Sequence, residues 1–261
     1  MHIKNVLLLS ALSAMPLFLA PRPSAEEDVR LKFEALDEKH DNPAIVQLWR
    51  DNPAEALGVI DSYLEGSLSK LEADRATPPA TIAAMEARGL RGARAADEAF
   101  STAIFADYAA SFGSWNGEEQ TRFRRGQELF GVASKALRAK NYAEALAKAT
   151  DSLELARPLG DWWGSAMALG VMGQAHLQLG QKLEALECAS QARLIDHDLR
   201  LVQAEYTSLD VIVRAATALG RVERALVAAE AGLALAHQLG EEAGAAAYEK
   251  ALTDLRARMP K

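Results

Sequence analysis

Apolar residues between positions 117 and 258 recur at spacings of three and four, and short turns containing glycine or polar residues interrupt them. This spacing places apolar side chains on one face of a helix, so it predicts amphipathic helices joined by tight turns. The predicted helices span residues 117–139, 142–157, 162–179, 182–198, 202–219, 222–238 and 242–258. The predicted fold class is therefore all-α.

The same pattern returns every 40 residues, because residues 141–161 align without a gap with residues 181–201 and with residues 221–241. The positions in register are Ala145, Ala185 and Ala225, then Leu146, Leu186 and Leu226, then Ala149, Ala189 and Ala229. In the intervening segments, Leu129, Leu169 and Leu209 are also in register. Short side chains allow two helices to approach closely, so each unit is predicted to be a pair of antiparallel helices.

This small–apolar spacing resembles the tetratricopeptide repeat (TPR) family, although smaller residues replace most of the usual large ones. The middle unit carries the pattern at Leu169, Met172, Gly173 and His176, followed by Ala185, Ala189 and Ala192. The flanking units carry it at Leu129, Val132, Ala133, Ala136, Ala145, Ala149 and Ser152, and at Leu209, Ile212, Val213, Ala216, Ala225, Ala229 and Gly232. The resemblance covers residues 120–258, about half of the chain, and its period resembles the longer-helix class. It implies a right-handed superhelical array of antiparallel helix pairs, a TPR-like α-solenoid.

The resemblance also implies that the first helix of each pair lines a concave groove in which partner peptides bind. Carrying the register over assigns ten groove residues, namely Gln127, Phe130, Ser134, Arg138, Met167, Gln174, Gln178, Thr207, Asp210 and Arg214. They do not form the dense Lys, Asn and Arg cluster with which some TPR proteins bind a C-terminal carboxylate. The expected ligand is therefore an extended or helical peptide with polar and apolar contacts. The alternative is that these residues form a solvated, unused face.

Residues 26–115 lack the 40-residue period. Residues 51–66 resemble a second helix, with Asn52 as its cap and Pro53 in its first turn. Residues 82–112 are helical in composition and form either one long helix or two that meet near residues 89–92. This region is either a set of degenerate repeats or an irregular bundle that covers the end of the array. Residues 116–261 form the predicted repeat domain, which ends in a capping helix.

The first 25 residues combine Lys4, an apolar run and small residues at the end of that run, the pattern of a secretory signal peptide. An uncleaved membrane anchor is the alternative, but the apolar run contains Pro16 and is shorter than the roughly 20 residues that a membrane span needs. We therefore expect an exported protein, periplasmic or extracellular, with no stable membrane insertion after cleavage. The cleavage site stays open between Ala20 and Ala25.

The charge balance argues against nucleic acid as a partner. The full chain has a net charge of −7, and loss of Lys4 and Arg22 with the signal peptide makes it −9. An acidic surface repels a phosphate backbone. Cys188 is the only cysteine, so no internal disulfide can form, and its place between two register alanines indicates a small core thiol.

The chain carries none of the common catalytic or cofactor motifs. It contains no phosphate-binding loop, no Gly-x-Gly-x-x-Gly, no Gly-x-Ser-x-Gly, no His-Glu-x-x-His and no Cys-x-x-Cys. After the predicted signal peptide, its histidines are His40, His176, His197 and His237, too scattered to indicate a metal site. We therefore expect no cofactor, no metal and no enzyme activity. Trp162 and Trp163 either pack against the start of their helix or expose a ring to a ligand.

These observations favour an exported, non-catalytic scaffold or adaptor that binds a protein or peptide partner through the concave groove. The main alternative is an enzyme or small-ligand receptor within residues 26–115, with the repeats as a docking arm. A self-assembling structural protein is the third possibility, because repeat arrays can stack end to end. The sequence names neither the partner nor the oligomeric state.

Overall fold

The structure, a computed structural model, describes residues 23–259, and these form helices joined by short turns, with no strand among them. The α-helices are α1 (Pro23–Glu38), α2 (Asn42–Asp51), α3 (Ala56–Ala73), α4 (Pro79–Phe100), α5 (Ile104–Ser114), α6 (Gly117–Arg138), α7 (Tyr142–Ala156), α8 (Trp162–Gln178), α9 (Lys182–Asp198), α10 (Val202–Ala218), α11 (Val222–Leu239) and α12 (Glu242–Arg256). A short 3₁₀ turn, Arg157–Leu159, follows α7. The all-α prediction is confirmed.

Helices α6 to α12 agree closely with the sequence pattern. Each begins at the predicted residue and ends within two residues of the predicted end. Consecutive helices pack on one another as antiparallel neighbours, which gives the predicted solenoid-like array. The helix α12 packs on α11 at the end of the array.

A recurring turn explains this regularity. Lys140, Gly160, Gly180, Arg200, Gly220 and Gly240 lie twenty residues apart and all have positive φ. In each turn the following N–H donates to a carbonyl five residues earlier, as Gln181 N does to His176 O at 2.9 Å. This is the Schellman ending of a helix. His40, with φ of 55°, makes the same turn between α1 and α2, although no period in the sequence indicated it.

The register alanines lie where helices cross most closely. Ala145, Ala185 and Ala225 are completely buried. At Gly173 a Cβ atom would lie 3.2 Å from the backbone nitrogen of Ala189, which is tighter than most real contacts. The first helices α6, α8 and α10 also contact one another directly, whereas the second helices chiefly contact first helices. The first helices therefore form the inner layer of the array.

Helices α1 to α5 form an irregular cluster, with lengths from 10 residues in α2 to 22 in α4. The prediction that Asn52 caps α3 is wrong. Its backbone N–H and its side-chain amide both donate to Leu48 O, so Asn52 ends α2, and α3 begins after a turn at residues 53–55. The proposed break near residues 89–92 is also wrong, because α4 continues to Phe100.

Close packing at Gly92 and side-chain capping by Asp97 explain why α4 continues past residues 89–92 and why the chain breaks only near Ser101. A Cβ at Gly92 would lie 3.0 Å from the Phe33 ring, so this glycine serves a close helix crossing and not a bend. The chain turns at Ser101, with φ of 56°. The Asp97 carboxylate then accepts hydrogen bonds from the N–H groups of Phe105 and Ala106, at 3.0 and 2.9 Å, at the start of α5.

The starts of α6 and α7 differ in how they are capped. The capping box of Asn116 and Glu119 is present at the start of α6. Asn141 occupies the cap position of α7, but its side chain makes no capping hydrogen bond.

The predicted signal peptide lies outside the described residues except for residues 23–25 at the start of α1. Among the described residues, no helix combines the length and apolar character that a membrane span requires.

Candidate functional site

A partly open cavity of about 180 Å³ lies where α3 and α5 meet the first repeat, formed by α6, α7 and the start of α8. Asp61, Glu65 and Tyr108 reach it from the irregular region. Phe123, Asp161 and Trp163 reach it from the other side. The cavity is therefore built by both regions of the chain, and neither region forms it alone.

The predicted groove residues divide into three groups. Gln127, Phe130 and Met167 come together as lining residues of the cavity. Asp210 and Arg214 form an ion pair at 3.4 Å further along the inner layer. The others do not line the cavity: Thr207 and Gln174 are partly buried, Ser134 is buried, and Arg138 and Gln178 are exposed near the ends of α6 and α8.

An aromatic cluster makes the junction between the two regions. The Phe123 ring on α6 lies 5.4 Å from that of Phe112 and 4.9 Å from that of Trp115. Trp115 Nε1 donates to Leu159 O at 2.9 Å and so joins the irregular region to the end of the first repeat. Leu159 belongs to the same buried core as α1 to α5. These contacts give the cavity a fixed wall.

Asp61 lies on α3 at the base of the cavity. The Tyr108 hydroxyl donates to Asp61 Oδ1 at 2.5 Å. Burial raises the pKa of Asp61 to about 7, and the nearby charges of Glu65 and Asp161 add to the rise. The hydrogen bond from Tyr108 and the charge of Arg124 oppose it. Asp61 is thus a carboxyl group that is partly protonated near neutral pH.

Asp161 closes the cavity from the start of α8. Its Oδ1 accepts from Gly164 N at 2.8 Å, which makes it the N-cap of the helix. A Cβ at residue 164 would overlap the Asp161 carboxyl group, so a larger residue there would force this carboxyl group to move from its capping position. Asp161 is 6% exposed, and its burial raises its pKa to about 6.

Glu65 provides the third carboxyl group and is held by Arg124 of α6. Arg124 also pairs with Glu72, at 2.7 Å, so its single charge is shared between two carboxylates. Glu65 Oε2 is shielded from solvent and has no hydrogen-bond partner among the described residues. No lysine, arginine or histidine is among the described residues that line the cavity, but the Arg124 guanidinium donates to both Glu65 and Gln127 of the lining, so it balances part of the carboxyl charge.

Sequence reasoning missed most of the acidic and aromatic lining. Asp61 and Glu65 are four residues apart on one face of α3, beside apolar residues, and this spacing was a usable signal. Tyr108 carried no comparable signal, because α5 has no counterpart in the repeat. For the tryptophan pair both alternatives hold in part. Trp163 packs against the aromatic core and lines the cavity, whereas Trp162 is 38% exposed and its Nε1 donates to Asp107 at 2.6 Å.

The other candidate groups have structural explanations. Cys188 is a buried free thiol whose pKa is raised by burial, so it is a core residue and not an activated nucleophile. His176 Nδ1 lies 2.7 Å from Gln181 Oε1, and His197 Nδ1 lies 3.1 Å from Glu205 Oε2. Within residues 26–259, no group of three or more His, Cys, Asp or Glu side chains is arranged to hold a metal ion.

A second groove, of about 430 Å³, lies on the outer side between α9 and α11. It is mainly apolar, and its rim residues Leu194 and Val227 are 61% and 69% exposed. The sequence analysis did not anticipate it. Its polar lining residues are Ser190, Arg193, Glu223 and Arg224, and Arg224 already donates to Ser190 Oγ at 2.7 Å.

No protein-family model matches the chain, and no curated protein matches it. The resemblance to TPR proteins therefore depends on the residues of the 40-residue register alone. The geometry of the inner layer and of the cavity supplies the remaining grounds for a functional proposal.

Proposed function

We propose that the chain is a non-catalytic scaffold that binds an extended segment of a partner protein along the inner layer formed by α6, α8 and α10. One observation carries the proposal: α8 contacts both α6 and α10, so the three helices form one layer with a shared face, and the cavity lies at the α6 and α8 end of it. A face of this kind accommodates a peptide several residues long. The register of small residues supports a TPR-like repeat domain from residue 116 onward.

Unpartnered polar groups on this face support a peptide ligand. Gln174 Nε2 is shielded from solvent and has no partner among the described residues, and the same holds for the Ser134 hydroxyl. A buried donor without a partner costs about 1–3 kcal/mol. The Gln174 side chain as a whole is only partly buried, so a rotation of its amide would bring this donor to a peptide carbonyl laid along α8. Binding would therefore remove a cost that the free protein carries.

The mixed character of the face indicates the kind of peptide. Asp210 and Arg214 already neutralise each other, so this part of the face offers polar contacts with little net charge. Phe130 and Met167 offer apolar surface near the cavity. A segment with apolar side chains near the cavity and polar side chains near Asp210 and Arg214 fits this arrangement. The predicted signal peptide supports a location outside the cytoplasm, periplasmic or extracellular.

A displayed peptide library tests the proposal. The full chain is used to select twelve-residue peptides, and their affinities are measured by fluorescence anisotropy. The double variant Gln174→Ala/Arg214→Ala should weaken the selected peptides at least tenfold. Leu194→Ala, on the outer groove, is the matched control and should leave them unchanged. Failure to select any peptide, or equal affinity of the double variant, would contradict the proposal.

A receptor or enzyme for a small molecule is the second candidate, and one observation favours it. Asp61 and Asp161 share a cavity and have raised pKa values of about 7 and 6, as general acid–base pairs require. The volume of about 180 Å³, however, is below the roughly 300–1,000 Å³ of most small-molecule sites. Retention of a small metabolite by the purified chain, detected by mass spectrometry, would favour this candidate.

A further inference from the structure

We propose that the α9–α10 turn is a pH-sensitive clasp, which stays docked on the irregular region at low pH and is released when the buried carboxyl group of Asp196 loses its proton. The clasp consists of residues 195–201, and it docks on the α4–α5 turn, residues 100–104. It joins α9 and α10 to the cluster of α1 to α5. The clasp does not depend on what the inner layer binds, so no ligand is needed to test it.

Contacts between distant parts of the chain define the docked state. Leu199 is buried in the same core as α1 to α5, and Ile195 and Leu201 pack against that core. Arg200 Nη2 donates to Phe100 O at 3.1 Å, and the Arg200 guanidinium lies 4.8 Å from the centre of the Phe100 ring. The docked clasp therefore limits how far α9 and α10 can move away from α4 and α5.

The crossing of α9 and α10 next to the clasp contains buried carboxyl groups, whereas the corresponding positions of the array contain none. Asp196 and Glu205 are both buried, and the Ser208 hydroxyl donates to Asp196 Oδ2 at 3.1 Å. Forty residues before and after Asp196, the chain has Ala156 and Ala236, which are also buried. The positions in register with Glu205 and Ser208 are likewise neutral: Ser165, Ala168, Ala245 and Tyr248.

Buried charge makes this crossing sensitive to pH. Burial raises the pKa of Asp196 to about 7, and the nearby charge of Glu205 adds to the rise, whereas the hydrogen bond from Ser208 opposes it. A carboxylate without a counter-charge is unfavourable in a buried site. The docked clasp therefore favours the neutral form of Asp196, and the ionised form favours an arrangement in which water reaches the carboxylate.

The charged groups around the two carboxyl groups come from α9 and α10 themselves. Glu205 Oε1 lies 3.4 Å from Arg193 Nε, and Glu205 Oε2 lies 3.1 Å from His197 Nδ1. Within the described part of the chain, no charge from α8 or from α1 to α5 contributes to the pKa of Asp196. Arg193 and His197 thus face Glu205, and the partner of Asp196 is a hydroxyl group.

A backbone hydrogen bond connects Asp196 to the clasp. Leu201 N–H donates to Asp196 O at 2.8 Å, so the residue that titrates also holds the turn that follows α9. Since its folded pKa is raised, the contribution of Asp196 to docking is complete below the ordinary aspartate pKa of about 4. That contribution decreases as the pH rises and is lost above the folded pKa of about 7. Opening of the turn should therefore increase from acidic to neutral pH and change little above it.

Hydrogen exchange of backbone amides in the full chain, followed by NMR, tests the inference. The reporter is Leu201 N–H, and the matched reference is Glu241 N–H, which makes the same 2.8 Å bond to Ala236 O at the α11–α12 turn. Protection factors correct for the intrinsic pH dependence of exchange. Between pH 5 and pH 8 the protection factor of Leu201 should fall by roughly tenfold or more, and that of Glu241 should fall far less. Unchanged protection of Leu201, or an equal fall at both amides, would overturn the inference.

Substitutions at residue 196 separate the carboxyl group from the rest of the clasp. Asp196→Ala introduces the residue that the array already accommodates forty residues away on either side, and Asp196→Asn keeps the shape of the neutral acid. Both variants should give Leu201 the same protection at pH 5 and pH 8. His197→Gln and Asp198→Asn, at exposed titratable residues of α9, are the controls and should keep the pH response of the parent chain. A response that survives in both Asp196 variants, or that either control abolishes, would contradict the role of Asp196.

The Arg200 side chain reports docking itself. Its methylene signals next to the guanidinium should be displaced by the ring current of Phe100 in the docked state, because the two groups are stacked. Raising the pH from 5 to 8 should move these signals toward those of a solvated arginine in the parent chain, but not in Asp196→Asn. If Leu201 loses protection while the Arg200 signals stay in place, the crossing opens without undocking and the clasp is wrong.

Discussion

The two regions of the molecule differ in the proportion of large rings and small residues in their interiors, although the repeat region also contains the buried ring pair of Tyr206 and Tyr248. In α1 to α5, large rings make the core: the Phe33 ring lies 5.2 Å from Trp49 and 5.8 Å from Tyr63. In α6 to α12, alanines and glycines lie at the helix crossings, and Ala185 and Ala225 are completely buried. Small residues hold helices at one close spacing, so equal pairs can stack repeatedly. Large rings fill unequal gaps, so helices of different lengths can form one cluster.

The candidate site lies where these two kinds of packing meet. Tyr108 projects into the cavity from the irregular region, whereas Gly126 of α6 and Ala156 of α7 line the side formed by the first repeat. Large side chains hold the helices apart, and small ones opposite them do not fill the remaining space. The cavity follows from this mismatch, which explains why neither region contains it alone.

Removing one ring from the irregular region should have the largest effect on stability. Trp49 is fully buried, and its Nε1 donates to Gly92 O at 3.0 Å. Trp49→Ala removes this hydrogen bond and leaves a cavity, so it should lower the free energy of unfolding by about 3–5 kcal/mol. Urea unfolding followed by circular dichroism measures the change. Leu31→Ala, at a residue 51% exposed on α1, is the control and should cost far less; an equal loss in both would contradict the assignment of the core.

Enlarging a register residue in the repeat region should have a smaller effect. Ala185→Leu inserts three carbon atoms at a crossing with no free space, at a cost of about 1–3 kcal/mol. Ala147→Leu makes the same chemical change at an exposed position of α7 and serves as the control. Both are measured by urea unfolding. If the two variants are equally stable, the register alanines do not set the spacing of the helices.

This contrast also explains how much of the fold the sequence predicted. Every helix from Gly117 onward began at its predicted residue, because small residues and turns recur at a fixed period. In α1 to α5 the positions of the helices depend on contacts between residues such as Gly92 and Phe33, which are far apart in sequence and close in space. Asn52 illustrates the same limit. The residues next to Asn52 favour a cap at the start of α3, but Asn52 donates its hydrogen bonds to the preceding helix and therefore ends that helix.

The site was predictable only in part for a related reason. The register assigned Gln127, Phe130 and Met167 to a partner-binding groove; the structure places all three along the cavity, and their binding role stays a prediction. The carboxyl groups of Asp61 and Asp161 come together only through the packing of α3 against the first repeat. No spacing in the sequence relates these two residues, so their proximity required the structure.

The pH dependence of stability should distinguish carboxyl groups whose pKa is raised by burial, which include Asp61 of the irregular region, from those whose pKa is lowered by arginine partners. Asp161 and Asp196 have pKa values raised by burial, to about 6 and about 7. Their folded state binds protons more tightly than the unfolded state, so their contribution is greatest at low pH and is lost as pH rises. Between pH 5 and pH 8 the free energy of unfolding should fall by about 1–3 kcal/mol. Urea unfolding at several pH values in this range measures the decrease in the free energy of unfolding, and Asp196→Asn should make that decrease smaller.

Asp37 in the irregular region should behave in the opposite way. Its hydrogen bond with Arg91 and the nearby Arg88 hold its pKa below the usual range. Its contribution is therefore present above about pH 4 and is lost as pH falls further, outside the window of the buried acids. Asp37→Asn should leave the slope between pH 5 and pH 8 unchanged. An equal change of slope in Asp37→Asn and Asp196→Asn would contradict this separation.

The smallest expected effect compares two helical glycines. Gly131 lies on α6, where a Cβ atom would meet nothing within 4 Å. Gly131→Ala should therefore gain helix propensity and raise the free energy of unfolding by up to about 1 kcal/mol. At Gly92 the same Cβ would lie 3.0 Å from the Phe33 ring and 3.3 Å from Ile60, so Gly92→Ala should destabilise the protein. Thermal unfolding measures both variants. If Gly131→Ala stabilises the protein and Gly92→Ala destabilises it, glycine is needed for a close contact at Gly92 but not at Gly131. If both variants change the stability in the same direction, this difference between the two glycines is wrong.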